Sequence, residues 1–376
     1  MKLLIFLFFV VYLLLLLVEH QNAKRNRAAL SHVVYVNGTR AKSSISRLIA
    51  AGLQAGGYRV LCKTTGTDPM VIHCDGREEL LTRRGRANIR EQLRILRQAA
   101  AERAEILVIE CMAVEPRLQW ISQHRMLRAD LGVITNARLD HTDQMGDTPE
   151  DICRSLCSTI PQNGVVFTAD QTHAAIIRGE AVRLGSAFVL ASPDQLLPED
   201  IDFSENLALA LAVCMYLHIS RETALAGMAH YRRDPYALSV HRLSNDTLFL
   251  NGFSVNDPQS THKVWLHCKK KLALENRRFI LLINNRPDRG CRSEHMILLA
   301  NWLSPDEIWI TGAFSGVMRR RLRTDFKDRI PVSAFGQPKA LPISRQVHTV
   351  IFAVGNLACG GRKILQLVRE EESHVS

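Results

Sequence analysis

Val33-Val34-Tyr35-Val36-Asn37-Gly38-Thr39-Arg40-Ala41-Lys42-Ser43-Ser44 decides how the chain is read. Four β-forming apolar residues run into a polar turn, and an amphipathic stretch over 44–55 follows, so the spacing predicts strand, turn and helix. A turn placed this way points backbone N–H groups at an anion, and the helix dipole adds to the attraction. A lysine at the helix start supplies a point charge for β- and γ-phosphates, and the next hydroxyl can bind Mg²⁺. The strict pattern GxxxxGK[ST] would place glycine at 36 and 41, where this chain has Val36 and Ala41. A methyl group at Ala41 is tolerable only if that residue has a negative φ and the phosphate still clears it.

Working outward, short apolar runs alternate with helical patterns. The runs are 33–36, 58–62, 106–109, 131–135, 165–168, 188–190, 279–283, 307–310 and 350–354, and the helical patterns include 44–55, 89–104, 207–217 and 222–230. Continuous apolar strands separated by helices predict an α/β fold with a parallel sheet covered on both faces. The stretch 232–258 breaks the rhythm with a proline, Asn-rich turns and one short strand at 248–250. The expected organisation is an apolar anchor over 1–20, a nucleotide-binding domain over 31–238 and a second, smaller domain over 239–376.

Ligands of open α/β sheets bind beyond the carboxyl ends of the strands. After 106–109 comes Glu110, a carboxylate suited to a hard cation near a phosphate loop. After 131–135 come Asn136, Asp140, His141 and Asp143, a polar group suited to metal binding or proton handling. The loop Lys63-Thr64-Thr65-Gly66-Thr67-Asp68 can reach the same rim.

Composition bounds the function. The chain has 376 residues, 47% of them apolar and 23% charged, which excludes disordered and collagen-like classes. Lysine plus arginine number 48 against 37 acidic residues, a net charge of +11. Aromatics are only 6% and few of them interleave with the basic clusters, so no nucleic-acid partner is expected. Arginine outnumbers lysine 37 to 11, and no lysine occurs between Lys63 and Lys263. Nine dispersed cysteines without a CxxC pair read as reduced thiols. Leu3 to Val18 is uninterrupted apolar or aromatic sequence, near the lower limit for a membrane span. Lys24, Arg25 and Arg27 follow it, so the positive-inside bias expects a single-pass anchor with the remainder in the cytoplasm.

Eight segments in order, VNGTRAKSS (36–44), KTTGTD (63–68), ECMAVEP (110–116), TNARLDHTDQMG (135–146), IPQNG (160–164), NGFSVNDPQST (251–261), NNRPDR (284–289) and AVGNLACGG (353–361), resemble the Mur ligase superfamily of ATP-dependent amide-bond ligases. Within it the likeness is greatest to the membrane-anchored ligase subunits of poly-γ-glutamate synthases. The resemblance implies a Mur-ligase-like P-loop domain and a smaller Rossmann-like C-terminal domain. It assigns Gly38, Thr39, Arg40, Ala41, Lys42, Ser43 and Ser44, with Asn136, Asn256 and Asp257, to ATP. It assigns Ser43, Glu110 and His141 to Mg²⁺, and Lys42, Glu110 and His141 to catalysis. The implied reaction activates a glutamate γ-carboxylate as an acyl phosphate, which the amine of another glutamate attacks to build poly-γ-glutamate. Two domains closing over such a site would keep water from the acyl phosphate. The implied partners are the growing polymer and small membrane subunits. Ala41, and Ser239 where the family has arginine, motivate an alternative: a nucleotide-binding, weakly active assembly subunit of the same complex.

Overall fold

The computed structural model describes residues 1–376 except 67, 84, 86, 195, 199, 200, 256, 287–291, 328 and 374–376, and leaves out the side chains of 292, 293 and 373. The chain divides into two compact units, Met1–Arg233 and Asp234–Ser376.

Unit 1 begins with α1 (Lys2–Ala28), the described helix long and apolar enough to cross a membrane, with a mean hydropathy of 2.7 over its best window. The helix does not end with the apolar run but continues to Ala28. Arg27 fastens its end to the domain, donating to Asp130 Oδ1 at 2.8 Å and to the carbonyl of Arg128 at 3.0 Å. Glu19 pairs with Arg90 at 2.6 Å.

The remaining elements of unit 1 are β1 (His32–Asn37), α2 (Lys42–Ala55), β2 (Val60–Lys63), β3 (Met70–Ile72), β4 (Glu78–Leu80), α3 (Glu91–Ala101), β5 (Ile106–Glu110), α4 (Pro116–Ile121), β6 (Leu131–Ile134), α5 (Thr142–Met145), α6 (Pro149–Leu156), β7 (Val165–Thr168), α7 (Ala174–Arg183), β8 (Ala187–Leu190), α8 (Ser204–Tyr216) and α9 (Arg221–Ala229). The sheet order is β4-β3-β2-β5-β1-β6-β7-β8, with β3 alone running antiparallel to its neighbours β2 and β4. β1 lies centrally, and its side chains alternate between two apolar layers. Val34 and Val36 pack with Ile45, Leu48 and Leu209 on one face, while Val33 and Tyr35 pack with Ile95 and Leu96 on the other. Such two-sided burial explains why its sequence is an unbroken apolar run.

Unit 2 contains β9 (Ser239–Leu243), β10 (Thr247–Asn251), α10 (Pro258–Leu272), β11 (Arg278–Asn285), α11 (Arg292–Leu303), β12 (Glu307–Gly312), α12 (Ser315–Asp325), β13 (Val332–Ala334), β14 (Thr349–Gly355) and α13 (Gly361–Ser373). Its sheet order is β13-β12-β11-β14-β10-β9, parallel except for β9. One face buries Phe249, Ile280, Trp309 and Ile351. Elsewhere in the unit Trp265 stacks on Phe279, with ring centroids 3.9 Å apart.

The stretch 232–258, read as irregular around one strand, contains the antiparallel pair β9–β10. β3 and β4 also went unread. They are three residues each, too short for a period to register, and β4 carries Glu78 and Glu79.

Candidate active site

The central strand sets the geometry. β1 lies between β5 and β6, with Val36 in register with Glu110 and Asn37 with Ile134. The turn after β1, the end of β5 and the segment after β6 therefore share one rim.

Gly38 has φ 137°, and a β-carbon there would lie 1.9 Å from Thr135 Oγ1. Only glycine fits. Asn136 grips the turn: its side-chain oxygen accepts from Thr39 Oγ1 (2.8 Å) and the Arg40 N–H (3.2 Å), and its carbonyl accepts the Thr39 N–H (3.0 Å). Thr135 Oγ1 donates to the Arg40 carbonyl at 2.6 Å. From beneath, Asn37 accepts the Gly38 N–H at 2.8 Å and donates to buried Gln119 at 2.8 Å. Arg40 pairs with Asp140 at 3.2 Å.

Ala41 departs from expectation. It takes φ 64°, ψ 7°, the left-handed conformation, instead of a negative φ. The loop must reverse sharply to deliver Lys42 into the first turn of α2, and the alanine bears that strain. The helix accordingly opens at Lys42, two residues before its expected start, with no side chain capping its first N–H groups. The Lys42 amine is turned into its own loop, donating to the Gly38 carbonyl at 2.6 Å. Ser43 Oγ donates to Glu110 Oε2 at 2.8 Å.

Glu110 is 2% exposed. Its carboxylate accepts from Ser43, from the Thr65 N–H (2.7 Å) and from the Thr65 hydroxyl. Gln92 Nε2 donates to the Glu110 carbonyl at 3.3 Å. A buried carboxylate flanked by two hydroxyls is an oxygen-only donor set, the chemistry a hard cation prefers. The uncapped helix start beside a lysine fits a polyphosphate in the same way. His141, at φ 50°, belongs to a neighbouring group, with Nε2 3.8 Å from Asp140 Oδ2. Among the described residues no three of His, Cys, Asp and Glu gather at metal-binding distance.

Next to this group lies a buried ion pair. Lys63, at the end of β2, has a fully buried side chain and meets Glu91 Oε1 at 2.8 Å. Arg83 holds the same carboxylate with two bonds, at 2.7 and 3.1 Å. Burial pushes the Lys63 ammonium below its ordinary value, while the facing carboxylate opposes that push. Burial also acts to raise the Glu91 carboxyl, but Arg83 and Lys63 outweigh it and hold it below the usual range.

Of the residues assigned to nucleotide in unit 2, Asn256 lies outside the described residues. Asp257 is buried and caps α10, accepting the Ser260 N–H at 2.8 Å. Ser239 is hydrogen-bonded with His241 and Asn251 in the β9–β10 pair, and exposed Arg242 belongs to the same strand.

Sequence reasoning missed Thr135, Gln119, and the pair Asp170–His173. Asp170 accepts both the Ala137 N–H (2.9 Å) and His173 Nδ1 (2.8 Å). Thr135 and Asp170 follow strand ends on the expected rim, a signal that was available. Gln119 sits mid-helix and gave none. Thr65 was flagged only as part of a polar loop.

Comparison with known proteins decides the family. The chain is 33% identical over 359 residues to the capsule biosynthesis protein CapB of Bacillus anthracis, covering 90% of this chain and 76% of that protein. The chain belongs to the CapB family. It is also 29% identical over 377 residues to the PGA synthase CapB of Bacillus subtilis, covering 96% of both. Residues 238–371 match the family model of the poly-γ-glutamate synthase CapB C-terminal domain. Among solved structures, the folylpolyglutamate synthase/dihydrofolate synthase of Yersinia pestis with AMPPNP and Mn superposes with TM-score 0.68 at 15% identity, covering 93% of each chain. E. coli FolC with ADP gives TM-score 0.66 at 15% identity, covering 94% of each. At such identity these share the fold, which is Mur-ligase-like. In this CapB-family chain the carboxyl rim of the second sheet carries its own polar turn. Buried Asn284 donates to the carbonyls of Asn356 and Ala358, and its Oδ1 has no hydrogen-bond partner among the described residues.

Proposed function

We propose that this chain is an ATP-dependent ligase that joins the γ-carboxylate of one glutamate to the amine of another, building poly-γ-glutamate. The carrying observation is the Ser43–Glu110 hydrogen bond at the end of the central strand, directly after Lys42, whose amine is turned into the Gly38 loop, in a chain whose relatives are CapB proteins. Folylpolyglutamate synthases of the same fold are solved with ADP, or with AMPPNP and Mn, so ATP and a divalent cation are the expected cofactors here.

Each residue then has a task. Lys42 exchanges the Gly38 carbonyl for phosphate oxygens, a short swing for an amine already inside the loop. Gly38 allows the backbone to approach, and the Asn136 grip on Thr39 and Arg40 keeps the turn from collapsing. Glu110 and the Ser43 hydroxyl, with His141 from the adjoining turn, would hold Mg²⁺, which neutralises charge on the transferred phosphoryl group. The phosphoryl group passes to the γ-carboxylate oxygen, and the acyl phosphate is then attacked by an amine with loss of phosphate. Positioning and charge neutralisation supply most of the catalysis in such transfers.

Asp257 and Asn256 remain candidates for nucleotide contact from unit 2. With α1 in the cytoplasmic membrane, both units would lie on the cytoplasmic side, and small membrane subunits would pair with its apolar length. The test is ATP hydrolysis by membranes containing the full chain, with and without glutamate. Hydrolysis that glutamate does not stimulate overturns the reading. The left-handed Ala41, with Ser239 in place of the family's arginine, favours a weakly active assembly subunit, and Ala41→Gly addresses the first of these.

A further inference from the structure

The ion pair Lys63–Glu91 has no task in the reaction above, yet it is an expensive thing to build. An ammonium with no solvent exposure forfeits its hydration, and replacing such a pair with apolar residues is often neutral or better for stability. Its position suggests what it does. Lys63 is the last residue of β2, in register with Ile109, the residue before Glu110. Two residues on, Thr65 clamps both oxygens of the Glu110 carboxylate, through its N–H and its hydroxyl. Glu91 is followed by Gln92, which holds the Glu110 carbonyl. Both sides of the pair thus lead, within two residues, to Glu110. Arg83 fixes Glu91 from the far side with two directional bonds. Between β2 and α3 the pair is a rivet with defined direction, which apolar packing at the same place would not supply.

We propose that Lys63, held by Glu91, is a positioning residue that orients the Glu110 carboxylate for the divalent cation. The proposal rests on the reading that Glu110 binds that cation. It acts by holding the start of the Thr64–Thr65 turn in place, so that Thr65 fixes the rotation of the carboxylate and leaves one edge toward Ser43. Groups that orient metal ligands typically contribute 10- to 100-fold to metal affinity or activity.

The test uses the purified full chain and its variants Lys63→Met, Lys63→Met/Glu91→Leu and Glu110→Gln. Mn²⁺ binding in the presence of AMPPNP is followed by electron paramagnetic resonance, alongside the Mg²⁺ and ATP dependence of glutamate-stimulated hydrolysis and the melting temperature. Lys63→Met should weaken Mn²⁺ binding and raise the Mg²⁺ requirement about 10- to 100-fold, with the KM for ATP little changed. The double variant removes both buried charges of the pair and leaves Arg83, whose side chain is 25% exposed, to be hydrated by solvent. It should regain the melting temperature while the metal requirement stays raised. A double variant that recovers both shows the pair to be structural only and overturns the proposal. Glu110→Gln separates the two readings: if its metal requirement stays at the wild-type level, the assignment of Glu110 falls and the positioning role falls with it.

Discussion

Lys42 and Ala41 stand side by side and make opposite demands. The Lys42 amine lies inside the loop at the helix start, and its replacement removes the positive charge that phosphate oxygens would meet there. Lys42→Ala should lower glutamate-dependent ATP hydrolysis by about 100-fold or more, with the melting temperature nearly unchanged. Ala41 carries a β-carbon at φ 64°. Ala41→Gly should stabilise the fold by about 1 kcal/mol, seen as a rise of a few degrees in melting temperature. If loop strain also limits turnover, hydrolysis will rise with it, and an unchanged rate would count against a strain-limited enzyme. Gly38→Ala is the converse case. Its new carbon would lie 1.9 Å from Thr135 Oγ1, so nucleotide binding, measured by calorimetry, should be lost together with part of the stability.

At the level of elements, the rim is assembled from strand ends, and strand ends are what a sequence displays well. The runs that became β1, β5, β6 and β7 are Val- and Ile-rich because both faces of a parallel sheet are covered, and Lys42, Glu110 and Asn136 follow directly from where those runs stop. What stayed illegible depended on contact between distant residues. Thr65 meets Glu110 only because β2 lies beside β5, and Asn37 meets Gln119 across 82 positions. The left-handed turn at Ala41 depends on the tight reversal before α2, which alanine's own preference does not display. The junction of α3 with β2 also carries a pH dependence. Glu91 titrates below its unfolded value of 4.5 in the folded protein, so its stabilising contribution is present above that value. It is lost as pH falls through the lower folded value. Urea midpoints between pH 6 and 3 should decline, and Glu91→Gln should flatten part of that decline.

For the whole molecule, α1 is the described helix long and apolar enough to cross a membrane, and it would set location. None of its apolar window is buried, and deleting residues 2–18 should move the protein from the membrane pellet to the supernatant while nucleotide binding is retained. The helix carries straight on past its apolar run for the ten residues 19–28, roughly 15 Å at 1.5 Å per residue, and Arg27 locks its end onto Asp130. With residues 3–18 seated in lipid, this is a strut and not a leash. The rim of the first unit would then ride at a fixed altitude over the bilayer and with a fixed heading, so the proposed ligation would take place at nearly constant depth relative to the lipid surface.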